Sequence, residues 1–219
     1  AALVMVVWLR RPKMSWSGAQ IGSIICYAAT VTLFVVANKL TTAANAIFLQ
    51  YTAPIWVAVF SWLIARERLT RVDIIGVSVV MLGMLLFFVD EMTSGAMAGN
   101  LIALLAGVAF GGVALFMRAQ RGVSTTESIL AGNLLAAIVC APFFQSFDPT
   151  LPTLVYLGIL GVLQLGVSYI LYSWALKHVT AIEAILITTL EPILNPVWVA
   201  VFHGEMPSPF AIIGGVVVV

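Results

Sequence analysis

The sequence has 219 residues, 62% hydrophobic and 9% charged, with a formal net charge of +1. Soluble chains carry about 25% charged residues, so this one lacks the charge to cover a water-facing surface and reads as membrane-embedded. So small a net charge offers no basic field for nucleic acid, and Cys26 and Cys140 lie in apolar stretches as small core residues without metal-ligand spacing.

In chain order, Ala1–Leu9 is apolar and stops at Arg10-Arg11-Pro12-Lys13. It is expected to be the tail of a helix whose beginning is missing. Runs of spanning length follow at Ile21–Ala37, Ala43–Ala65, Val72–Val89, Ala98–Met117, Ser128–Phe144, Leu154–Leu176 and Ala181–Phe202. The final run, Phe210 to Val219, is too short to cross as a helix, because about 20 residues are needed. These runs are continuous and rich in Leu, Ala, Val and Gly, whereas barrel strands alternate with period two. The expected fold class is therefore all-α: a polytopic membrane helix bundle with seven complete crossings and two partial ones.

Charged breaks such as Arg66-Glu67-Arg68 and Asp90-Glu91 separate the spans. Loops alternate sides, and nine of the ten basic residues fall on one side, leaving only Lys39 on the other. By the positive-inside rule the basic loops are expected to face the cytoplasm.

A shift of 138 residues superposes two regions without a gap. Lys39 and Thr42 fall on Lys177 and Thr180; Pro54-Ile55 falls on Pro192-Ile193; Glu67 falls on Glu205; Ile74-Ile75-Gly76 falls on Ile212-Ile213-Gly214. The shift spans five crossings, so matched helices run in opposite directions, as in the inverted repeats of secondary transporters. Two inverted five-helix repeats imply ten helices. On that scheme the sequence lacks helix 1, most of helix 2 and most of helix 10.

The residues from Tyr51-Thr52-Ala53-Pro54 through Glu67, from Leu190-Glu191-Pro192 through Glu205, and the glycines Gly76 and Gly214 carry a resemblance. The sequence resembles the drug/metabolite transporter superfamily, in its ten-helix branch of two EamA-type domains. Residues 1–91 would be the C-terminal part of the first repeat (helices 2 to 5), and residues 92–219 the second repeat (helices 6 to 10). The resemblance implies export or exchange of small organic metabolites or drugs by alternating access, usually across a bacterial inner membrane. The alternative is a channel-like or non-transporting scaffold. One departure is Arg66, which stands where Gly often precedes the first Glu of the pattern.

Glu191 is the outstanding candidate, because a carboxylate in mid-span should face a cavity, a partner or a proton. Thr188, Glu191 and Asn195 have the spacing of one helix face, and Pro192 and Pro196 are expected to kink the span and free backbone carbonyls. Glu191 as a brace between helices is the other reading. In helix 4, Gln50 shares a face with Pro54, a second expected kink. In helix 8, Ser168 and Tyr172 lie on a mildly polar stripe with Gln164, and Tyr169 stands beside it. Asn133 is a lone polar group in helix 7 that suits a ligand or an interhelical hydrogen bond. Substrate contacts are thus expected from Glu191, Asn195, Thr188, Gln50, Tyr172, Tyr169, Ser168 and Asn133, in a cavity lined by helices 3, 4, 8 and 9. Glu67 and Glu205 are expected to brace helix ends or to gate.

Gly107 and Gly111 form a GxxxG pattern, which allows close contact inside the bundle or in a homodimer. The sequence has no HExxH, GxSxG or P-loop pattern. It calls for no catalytic residue, no metal and no cofactor. Its expected partners are a small-molecule substrate and the lipid bilayer, with proton coupling left open.

Overall fold

The structure is a computed structural model that describes residues 14–64, 66, 68–89, 97–120, 125–143, 150–203 and 208–218, with backbone alone at 195, 196, 199, 200, 202 and 203. It is all helical among these residues: α1 Gly18–Leu40, α2 Ala43–Gln50, α3 Ala53–Leu63, α4 Arg71–Phe88, α5 Met97–Ala119, α6 Thr126–Cys140, α7 Leu151–Ile159, α8 Ser168–Ala175, α9 Ala181–Thr188, α10 Leu190–His203 and α11 Pro209–Val218. A π-helical segment, Leu160–Val167, joins α7 to α8. Six spans among the described residues are long and apolar enough to cross a bilayer: α1, α2 with α3, α4, α5, Thr126–Phe143, and Leu151–Ala175. The protein is an integral membrane protein, and its outer face suits lipid: Trp62, Val72, Leu101 and Ile138 are all exposed.

Helix starts follow from capping chemistry. Thr42, Thr70, Thr150 and Thr180 each accept a bond from the backbone three residues on. Thr70 with Asp73 and Thr180 with Glu183 complete capping boxes. Several caps stand at the same 138-residue shift seen in the sequence. Thr42 corresponds to Thr180, and α2 corresponds residue for residue to α9. Thr70, which caps Asp73 N, corresponds to Ser208, which caps Ala211 N.

Two expected continuous spans are in fact broken. The first stops at Tyr51-Thr52 between α2 and α3, and the second at Thr189 between α9 and α10. Pro54 and Pro192 lie in the first turn of the helix that follows each break. An amide in a first turn has no intrahelical acceptor, so proline costs nothing there. The prolines restart helices rather than kink continuous ones. The broken ends are closed locally. The Thr52 hydroxyl donates to Leu49 O at 2.7 Å, and the Thr189 hydroxyl donates to Leu186 O at 2.6 Å. Both threonines are buried, so the freed carbonyls are satisfied without water.

Helix α5 is the axis of the bundle. Gly107 faces the first break, where an added Cβ would lie 2.8 Å from Leu49 O and 2.9 Å from Gln50 O. Gly111 meets α3, with Trp56 Cβ at 2.9 Å from the same construction. The GxxxG pattern therefore serves contact inside the bundle. At one end Gly99 abuts Leu40 and Thr41, and Thr41 donates to Asn100 at 2.7 Å. At the other end Gly22 packs under Phe116. Helix α6 lies along α1, with Gly132 against Tyr27, and α4 packs on α11 through Gly83 and Gly214.

Just beyond α3, Arg66 has φ 54°. Left-handed backbone costs a non-glycine residue roughly 1–2 kcal/mol, and glycine is the usual residue past a helix end. This accounts for the glycine that the family pattern favours at Arg66. Arg66→Gly is expected to stabilise the protein by about 1 kcal/mol, seen as a higher melting temperature in detergent. An unchanged or lower value would show that the arginine side chain offsets the strain.

Candidate functional site

The two breaks face each other. Tyr51, at the first, donates its phenol hydroxyl to Glu191 Oε2 at 3.1 Å across 140 residues of sequence. Glu191 stands two residues past the second break, in the first turn of α10. A negative side chain there complements the positive end of the helix dipole. Its other carboxylate oxygen has no partner among the described residues, and the side chain is exposed into a cavity of about 950 Å³. That volume is in the range of small-molecule sites, roughly 300–1,000 Å³.

The cavity is walled by Val31 and Phe34 from α1, Gln50 and Tyr51 around the first break, Tyr169 from α8 and Glu191 from α10. Phe110 of α5 closes its floor. These are the four spans named from the sequence, with α5 added. Two aromatic stacks stiffen the wall. Tyr51 meets Phe110 edge-on at 6.3 Å; Tyr27, Tyr169 and Tyr172 form a T-shaped chain at 4.9 and 6.2 Å. The amides of Gln50 and Gln164 face the cavity and make no side-chain hydrogen bond to another described residue.

The structure divides the sequence candidates. Glu191, Gln50 and Tyr169 line the cavity together, as do Pro192, Tyr51 and Gln164. Thr188 does not join Glu191 on one face, because the break at Thr189 interrupts the helical phase; its hydroxyl donates instead to Ile185 O at 2.7 Å. Ser168 and Tyr172 also leave the expected stripe. The π-helical segment bonds i to i+5, which places Gln164 in register with Tyr169, five residues on, rather than with Ser168. The Ser168 hydroxyl donates to Leu163 O, and the Tyr172 hydroxyl is buried without a hydrogen-bond partner. Asn133 donates to Tyr27 Oη at 3.1 Å and to Ile129 O at 2.9 Å, so it links α6 to α1 behind the cavity. It supports Tyr27, which in turn packs on Tyr169. The side chains of Asn195 and Pro196, and the residues Glu67 and Glu205, lie outside the described residues.

Tyr51 and Gln164 were not singled out as site residues from the sequence. The signal for Tyr51 was its position three residues before Pro54, where the first turn of a new helix forces a break. For Gln164, a π-helical insertion leaves no mark in apolar periodicity.

Comparison with known proteins agrees with this fold. The chain matches the EamA-like transporter family over residues 1–89 and 97–219. It is 26% identical over 228 residues to an uncharacterized transporter, YwfM, of Bacillus subtilis, covering 98% of this chain and 76% of that protein. It is 26% identical over 192 residues to an uncharacterized transporter of Archaeoglobus fulgidus, covering 86% and 69%. A solved crystal structure superposes with a TM-score of 0.81 at 19% identity, covering 99% of this chain and 80% of the other.

Proposed function

We propose that this chain, which belongs to the EamA-like transporter family, is a secondary active transporter that exports or exchanges small organic metabolites or drugs. In this reading residues 1–91 and 92–219 belong to two inverted repeats, and alternating access arises as one rocks against the other. The observation that carries it is the meeting of two broken spans at one cavity, joined by the Tyr51–Glu191 hydrogen bond. Broken helices at a repeat interface are the usual site of substrate in such carriers. Inversion is supported by the caps and breaks recurring at one shift of 138 residues, with four spans between the two broken ones. A bacterial inner membrane, with the arginine-rich loops cytoplasmic, completes the reading.

Counterflow in proteoliposomes tests it. Substrate loaded on one side should accelerate uptake of labelled substrate from the other, as a carrier requires and a channel does not show. Flux without trans-stimulation would favour the channel alternative. Orientation is tested separately with single cysteines in a background lacking Cys26 and Cys140. Cysteine at Arg68 should resist an impermeant thiol reagent in intact cells, and cysteine at Lys39 should react. The reverse pattern would invert the topology.

A further inference from the structure

The cavity has a definite charge character. Glu191 is its only ionisable acid among the described residues, and no Lys, Arg or His lines it. One carboxylate oxygen is held by the Tyr51 hydroxyl, and the other is open to the cavity. The rest of the wall is aromatic and aliphatic, with the two free amides of Gln50 and Gln164. A lone carboxylate inside a bilayer-embedded cavity needs a counter-charge, because low-dielectric surroundings strengthen its field and leave it poorly solvated. Among the described lining residues, the protein supplies none.

We propose that this cavity takes ligands bearing a cationic nitrogen on an apolar, aromatic-sized body. This rests on the transporter reading above. Glu191 would pair with the ammonium group, and the faces of Tyr169 and Phe110 would receive the body or the methyl groups of a quaternary nitrogen. Gln50 and Gln164 would bond any hydroxyl or carbonyl. Anionic ligands are disfavoured for two reasons. They would meet Glu191 without compensation. The helix terminus best placed to attract an anion, the start of α10, already carries Glu191 in its first turn. The carboxyl group of a zwitterion meets the same obstacle.

The test uses the full chain in nanodiscs of zwitterionic lipid and three probes of similar size: benzyltrimethylammonium, benzyl alcohol and phenylacetate. Equilibrium binding of each labelled probe is measured. Benzyltrimethylammonium should bind saturably and about tenfold or more tighter than the other two. Glu191→Gln should weaken it by about tenfold, while Glu191→Asp, which keeps the charge, stays within about threefold of wild type. Tyr51→Phe should bind the cation at least as well, because it removes a competing donor. If Glu191 is only a brace for Tyr51, then Glu191→Gln and Tyr51→Phe will both leave cation binding unchanged. Equal or tighter binding of phenylacetate or benzyl alcohol, or no saturable cation binding by folded wild type, would also overturn the proposal. Counterflow separates this result from the function. Trans-stimulated flux of a neutral or anionic compound would remove the cation preference and keep the carrier; cation binding without trans-stimulation would do the reverse.

Discussion

Gly107→Leu is expected to abolish folded, monodisperse protein. Even the first carbon of a side chain at Gly107 would sit 2.8 Å from Leu49 O, 2.9 Å from Gln50 O and 2.9 Å from Thr52 Oγ1. Two of these are backbone atoms at the end of α2, and the third is engaged in closing that end. None can swing aside as a flexible side chain could. Relief would require α5 to withdraw from the break, and α5 also carries Ala103, Ala106 and Ala114 fully buried and Gly111 against α3. Overpacking a core by a few methylenes costs about 1–3 kcal/mol, and here the obstacle is backbone on both sides. With total stabilities of about 5–15 kcal/mol, one such substitution can remove most of the folded population. Gly158→Leu is the control, since nothing lies within 4 Å of a Cβ there. Detergent-solubilised variants compared by size exclusion and thermal melting decide the matter. Similar behaviour of the two variants would mean that α5 is not held against the break in the membrane.

The same break explains what the sequence could and could not reveal. Spanning helices are set by uninterrupted apolar length, a property any window of residues carries, so the edges of α1, α4 and α5 fall within a few residues of their sequence reading. A break inside a span is invisible to that measure. Thr189 and Tyr51-Thr52 sit in stretches as apolar as their neighbours, and the prolines that mark them read as kinks, because sequence does not say whether a proline falls in mid-helix or in a first turn. The shape of the site follows from those breaks. Gln50 and Glu191 reach the cavity because each lies beside one, and Thr188 fails to reach it for the same reason. In α8 the misplaced stripe has a different origin: one π-helical segment rotates everything after Gly161, exchanging Ser168 and Tyr172 for Tyr169. Asn133 shows a further limit. A lone polar residue in a span must find a partner, but the sequence does not name Tyr27 as that partner.

Glu191→Gln is expected to lower transport by the whole protein at least tenfold, with membrane expression near wild type. The amide keeps the size of the side chain and can still accept the Tyr51 hydroxyl at Oε1, so the link between the two breaks survives the substitution. The negative charge and the ability to carry a proton are lost. A tenfold loss corresponds to about 1.4 kcal/mol of transition-state stabilisation, a modest demand on a carboxylate facing a membrane-embedded cavity. Tyr51→Phe is the complementary change. It deletes the hydrogen bond and leaves the charge, so it reports what the link itself contributes, about 1 kcal/mol if it behaves as an ordinary buried bond. If Glu191 acts by charge, the Gln variant is the poorer carrier and the Phe variant retains most activity. If Glu191 acts as a brace, the order reverses, because Gln preserves the brace and Phe removes it. Proton coupling adds a separate signature. The groups facing the carboxylate from neighbouring elements are the hydroxyls of Tyr51 and Tyr169 and the amides of Gln50 and Gln164, and none of these changes charge near neutrality. Any dependence of wild-type transport on pH between about 5 and 8 that disappears in Glu191→Gln would therefore belong to Glu191. A Gln variant with undiminished transport and the wild-type pH profile would remove Glu191 from the mechanism, while the bundle and its two broken spans would stand.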